Sequence, residues 1–158
     1  MTSVEAVVRA ALAARDRAYA PYSGFRVGAA LVTGNGAVFT GANVENASFG
    51  LTVCAERVAL WTAIVAGATS IRLLVVIADT HDPVSPCGAC RQVLMELAPD
   101  ADVVMATVSG RRELLTVREL LPRAFTTGAL AEAPSREAAL RPRRSPSGEP
   151  GLPAPDQT

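Results

Sequence analysis

Three cysteines, all that the chain contains, lie in two short segments 33 residues apart, Cys54-Ala55-Glu56 and Pro86-Cys87-Gly88-Ala89-Cys90. Each segment opens a run with helical spacing. Between them runs Ile71–Ala78 (IRLLVVIA), short and rich in β-branched residues, which predicts a strand buried on both faces. If the thiols act together, the fold must bring two helix starts to one edge of a sheet. Few architectures do that.

The rest of the chain supplies such a sheet. Thr2-Ser3-Val4-Glu5 has capping-box form, and Val4, Val7, Val8, Ala11 and Leu12 recur at helical spacing, predicting a helix to about Ala18, ended before Pro21. Arg26–Thr33 and Ala37–Asn43 read as paired strands joined by a turn at Gly34-Asn35-Gly36. Further helices are expected over Cys54 to Ala66, ended by Gly67, and over Cys87 to Leu97, ended by Pro99. Asp102–Thr107 reads as a strand and Val117–Leu121 as a short helix before Pro122. Strands alternating with helices imply crossovers on a covered sheet. The expected fold is a three-layer α/β/α sandwich on a mixed sheet of about five strands.

The expected globular domain spans residues 1–130. From about Ala131 the character changes, because six of the 11 prolines fall between Pro134 and Pro155 with few large apolar residues among them. Such a segment cannot bury enough surface to offset its ordering entropy, so 131–158 is expected to be a disordered tail. Residues 1–130 are neutral, with 11 Arg against 11 Asp plus Glu, and the chain has no Lys. That balance gives no electrostatic preference for polyanions, and Arg141, Arg143 and Arg144 are too few and too offset to make a nucleic-acid handle. The odd cysteine count argues for a reducing compartment, and the N-terminus lacks signal-peptide organisation, so a cytoplasmic location is expected. No apolar run approaches the roughly 18 residues that span a bilayer.

Zinc in a structural site is closed by four protein ligands, whereas three leave a position for water. Cys54, Cys87 and Cys90 offer three thiolates, favoured by the partial positive charge of helix starts. Cys87 and Cys90, at i and i+3, share a helix face. Glu56, two residues from Cys54, is placed to take a proton from the water without joining the metal. Three thiolates leave the site at −1, and Arg57 is a counterweight able to donate hydrogen bonds to a ligand sulfur. Three bland readings stand beside these: buried structural thiols, Arg57 as an ordinary surface residue, and a closed structural zinc completed by the only histidine, His81. His81 sits in a loop, Thr80-His81-Asp82-Pro83, where a solvated role is the alternative to ligation. Dinucleotide, Walker and Gly-x-Ser-x-Gly patterns are absent.

The Cys-x-Glu and Pro-Cys-x-x-Cys segments form the zinc-deaminase signature. With Pro21–Leu31 (PYSGFRVGAAL), Asn43–Ser48 (NVENAS), Val53–Arg57, Ser85–Leu94 and Glu119–Pro122 with Phe125, the chain resembles the small homotetrameric cytidine deaminases. The resemblance covers residues 1–128. It implies that Cys54, Cys87 and Cys90 bind one zinc per subunit and that Glu56 shuttles protons from water to N3 and then to the 4-amino group, as hydroxide attacks C4. It implies that Asn43 and Glu45 bind the ribose 3′-hydroxyl, that Phe25 packs on the pyrimidine, and that the Ala55 N–H meets its 2-carbonyl. Phe125 and the loop around Ala47 would come from a neighbouring subunit.

The expected reaction converts cytidine and deoxycytidine to uridine and deoxyuridine with release of ammonia, in pyrimidine salvage. Phe49 departs from the tyrosine usual in the family, removing a phenol on the ribose side. That leaves a modified cytosine nucleoside such as blasticidin S as the alternative substrate. A polynucleotide deaminase would have His at position 54 and a basic track, and this chain has neither.

Overall fold

The computed structural model describes residues 2–132. The chain divides into two units, Met1–Phe125 and Thr126–Thr158. In the first unit the elements run α1 (Val4–Arg15), β1 (Val27–Thr33), β2 (Val38–Ala42), a 3₁₀ turn (Phe49–Leu51), α2 (Ala55–Val65), β3 (Ile71–Ala78), α3 (Gly88–Leu97), β4 (Asp102–Thr107), β5 (Arg112–Thr116) and α4 (Val117–Leu120). In the second, α5 covers Thr127–Ala131. The tail expected over 131–158 lies outside the described residues from 133 onward.

The strands form one mixed sheet in the order β2-β1-β3-β4-β5. Among the described strands only β3 and β4 pair in parallel; β1–β2, β1–β3 and β4–β5 are antiparallel. Side chains alternate across the pleat. Ala29, Leu31, Leu74, Val76, Val103 and Met105 pack with α2, α3 and α4 on one face. Ala30, Val32, Leu73, Val75, Ile77 and Val104 pack with Val7 and Ala11 of α1 on the other. Both faces of β3 are covered, which is why its sequence reads as a continuous apolar run. The expected α/β/α sandwich is the observed one.

Because β2 and β3 are each antiparallel to β1, they run parallel to one another and end at the same rim of the sheet. Register fixes this: Gly28 faces Ala42 on one side of β1, and Val27 faces Ala78 on the other. The helix after each strand therefore begins at that rim, where open α/β sheets bind ligands. Two close approaches hold the layers. A Cβ on Gly28 would lie 2.1 Å from the Ala11 carbonyl oxygen of α1, and one on Gly41 would lie 2.4 Å from that of Ala55 in α2.

Three local expectations need correction. The first helix ends at Arg15 rather than near Ala18, because Tyr19 leaves it to bridge Val44: its N–H donates to Asn43 O at 3.0 Å. The N-terminal capping box does not form. Ser3 caps α1, accepting from Ala6 N at 3.3 Å, while the Glu5 carboxylate pairs with Arg112 of β5. A true capping box closes instead at Thr116 and Glu119 of α4. The fifth strand, β5, has no place among the strands read from local pattern, because it is an exposed edge strand (Arg-Glu-Leu-Leu-Thr) with a weak apolar alternation.

Candidate active site

Cys54 caps α2 and Cys87 caps α3, both with extended backbone, and Cys90 lies in the first turn of α3. The common rim brings their three sulfurs within 4.8 Å of one another, with Cys54 Sγ to Cys87 Sγ at 3.8 Å. Tetrahedral zinc with Zn–S bonds of about 2.3 Å sets sulfurs about 3.8 Å apart, so the donor set fits that ion. Cys90 is buried, Cys54 half-buried and Cys87 exposed, which leaves one side of the cluster open to the cavity. His81 is remote from this role: its side chain is 79% exposed and sits 3.1 Å from Asp82. The closed Cys3His site is thus not the arrangement found.

The electrostatics follow from the burial. The Cys54 thiol is lowered to about 5, first by the hydrogen bond with Cys90 and then by Arg57. The Cys90 thiol is pushed up by that same partnership and by burial. Arg57 Nη2 lies 3.4 Å from Cys54 Sγ and 3.4 Å from Thr52 O, with its guanidinium 5.8 Å from the Trp61 ring centroid. The Cys54 thiolate holds Arg57 more firmly charged than usual. Glu56 is only 4% exposed, and burial raises its carboxyl above the ordinary carboxylate range.

A cavity of about 340 Å³ opens over the cluster. Phe25, Asn43, Glu45, Ala55 and Glu56 line it together with Cys54 and Cys87. The Asn43 amide is partly committed, since Oδ1 accepts from Val27 N at 2.8 Å and Nδ2 donates to Phe25 O at 2.8 Å. Glu45 accepts from Tyr22 N at 2.8 Å, from Ser23 N at 3.2 Å and from the Ser23 hydroxyl. Both side chains retain capacity, one amide hydrogen and several lone pairs between them. Ala55 occupies the first helical position, whose N–H has no partner inside its helix.

Ala47, Phe49 and Phe125 do not line this cavity. Ala47 is exposed, Phe49 is 73% exposed and Phe125 is 60% exposed. Phe49 meets Tyr22 edge-on at 5.9 Å and walls a neighbouring hollow that shares Ser23, Glu45 and Thr52 with the cavity. Sequence reasoning passed over Ser23 and Thr52. Ser23 had a signal in Pro21-Tyr22-Ser23-Gly24, where Gly24 at φ +68° makes the turn, whereas Thr52 had none.

Comparison with known proteins agrees with this geometry. Residues 1–107 match the family described as cytidine and deoxycytidylate deaminase, zinc-binding region. The chain is 52% identical over 121 residues to the cytidine deaminase of Halalkalibacterium halodurans, covering 76% of this chain and 92% of that protein. It is 44% identical over 131 residues to that of Sporosarcina psychrophila, covering 82% and 96%. The crystal structure of cytidine deaminase from Burkholderia pseudomallei superposes with a TM-score of 0.77 at 50% identity, covering 78% of this chain and all (100%) of that one. Three sulfurs spaced for zinc, an adjacent buried carboxylate and relatives of this similarity place the chain in the cytidine deaminase family.

Proposed function

We infer that the protein catalyses hydrolytic deamination of cytidine to uridine and ammonia, and accepts deoxycytidine in the same way. The observation that carries the reading is the meeting of the Cys54, Cys87 and Cys90 sulfurs beside a cavity that Cys54, Cys87 and Glu56 line. Cys54, Cys87 and Cys90 would hold zinc, which would lower the pKa of a water and so make hydroxide available near neutral pH. Glu56 takes a proton from the attacking water and delivers it to N3, which makes C4 electrophilic. The water oxygen bonds to C4, Glu56 carries that oxygen's remaining proton to the 4-amino group, and the C4–N bond breaks to release ammonia and leave the 4-carbonyl of uridine. The raised carboxyl of Glu56 suits a group that must both accept and return a proton.

Phe25 packs against the pyrimidine, and the unpaired N–H of Ala55 donates to the 2-carbonyl. Asn43 and Glu45 offer their remaining hydrogen-bond capacity to the ribose 3′-hydroxyl. Arg57 offsets the charge of the three thiolates. Phe125 and Ala47, exposed on their own chain, complete a neighbouring subunit's site in a homotetramer, and Phe49 borders that boundary. Residues 1–130 form the catalytic domain, and pyrimidine salvage in the cytoplasm is the setting in which three reduced thiols persist.

Steady-state kinetics on cytidine, deoxycytidine and blasticidin S test the substrate assignment. The two cytosine nucleosides are expected to turn over with similar kcat/KM and blasticidin S far more slowly. The reverse order would overturn it.

A further inference from the structure

The segment between β3 and α3 carries Cys87, yet it is tied down by side chains rather than by backbone. Among the described residues, Asp79–Pro86 makes no backbone–backbone hydrogen bond to the rest of the chain. Cys87 caps α3 without a side-chain hydrogen bond. Its carbonyl accepts from Arg91 N at 2.9 Å and its sulfur stands 3.8 Å from that of Cys54, but a further group holds the loop that leads into it. That group is the side chain of Arg91, one turn into α3 and half-buried. Its Nε donates to Pro86 O at 2.7 Å, its Nη2 to the Ser85 hydroxyl, and its Nη1 to Leu120 O at 3.0 Å. Leu120 ends α4, so its carbonyl is one of those a helix leaves unpaired. One planar fork therefore joins the two residues before Cys87 to the end of a separate helix.

We propose that Arg91 is a positioning residue for the metal site, holding the Ser85–Cys87 loop so that the Cys87 sulfur stands in register with those of Cys54 and Cys90. The inference rests on the reading of Cys87 as a zinc ligand. An ammonium offers no fork, so lysine at this position serves at most part of the acceptor set. Outer partners of metal ligands typically change affinity by about 10- to 100-fold when removed.

The test is zinc transfer from the purified holoprotein to a chromogenic chelator, comparing wild type with Arg91→Met, Arg91→Lys and Arg118→Met. Arg118, on α4, pairs with Asp100 at 2.8 Å and touches no ligand loop. The melting temperature of each metal-free protein is recorded alongside. Arg91→Met is expected to release zinc at least about 10-fold faster, with Arg91→Lys between it and wild type. The gap between holo and apo melting temperatures should narrow for both, and Arg118→Met should match wild type throughout. Wild-type release by Arg91→Met, or equal acceleration by Arg118→Met, overturns the proposal. Should Arg91→Met fail to fold, Arg91→Lys decides alone, and wild-type release by it is the contrary result. Wild-type protein isolated without zinc would sink the reading of the cysteines instead.

Discussion

Glu56 is buried beside the Cys54 and Cys90 thiols, with Arg57 the cation that acts on it, and a carboxylate so placed costs stability. Replacing it with the isosteric amide keeps the shape and removes the base. Glu56→Gln is expected to retain one zinc per chain by elemental analysis while kcat falls by at least about 100-fold. Glu45 carries a different prediction. The Ser23 hydroxyl and the Tyr22 N–H hold its carboxyl below the ordinary value of 4.5. The unfolded chain then binds more protons in that window, so the stabilisation is present above about 4.5 and is lost as pH falls through the lowered value. Melting temperatures of wild type and Glu45→Gln should differ at neutral pH and converge in acid. Cys54, Glu56, Cys87 and Cys90 were legible because short spacing ties them to helix starts. Arg91 and Thr52 were not, since their partners are backbone carbonyls and loops that only the folded chain brings near.

At the scale of elements, α2 carries three site residues, Ala55, Glu56 and Arg57, and its seating on β2 depends on Gly41. A methyl group there meets Ala55 O at 2.4 Å and Ala59 N at 2.5 Å, so the helix must move off the sheet. Gly41→Ala is expected to cost about 1–3 kcal/mol and to weaken zinc retention with it. Gly28→Ala strains α1 in the same manner, against Ala11 O and Arg15 N, but α1 holds no site residue. Its cost should appear in the melting temperature and much less in zinc content. The central elements were readable because β1, β3 and β4 keep their apolar signature on both faces. Glu5 shows why the chain's ends were harder. Its spacing promised a cap, yet a partner 107 residues away, Arg112, takes its carboxylate, and no local pattern encodes that choice.

At the scale of the molecule, one rim of the sheet gathers two helix starts, and the exposed apolar surface lies largely outside the core. Phe49, Leu51, Trp61, Val65 and Phe125 are all exposed on the single chain. The proposed homotetramer with shared sites would give those residues a place, and it makes a specific forecast. Phe125→Ala and Glu56→Gln chains, each impaired alone, should regain measurable activity when refolded together, because some sites then draw an intact Phe125 and an intact Glu56 from different subunits. Absence of rescue in mixed tetramers would mean each chain builds its site unaided. The account as a whole stands on one zinc, held by three sulfurs, driving loss of the 4-amino group. Absorbance at the cytosine band, followed on mixing purified protein with cytidine, tests it most directly. The signal should fall with release of one ammonia per uridine, stop when a chelator strips the metal, and resume on adding zinc. Undiminished turnover by protein verified to be zinc-free would contradict it.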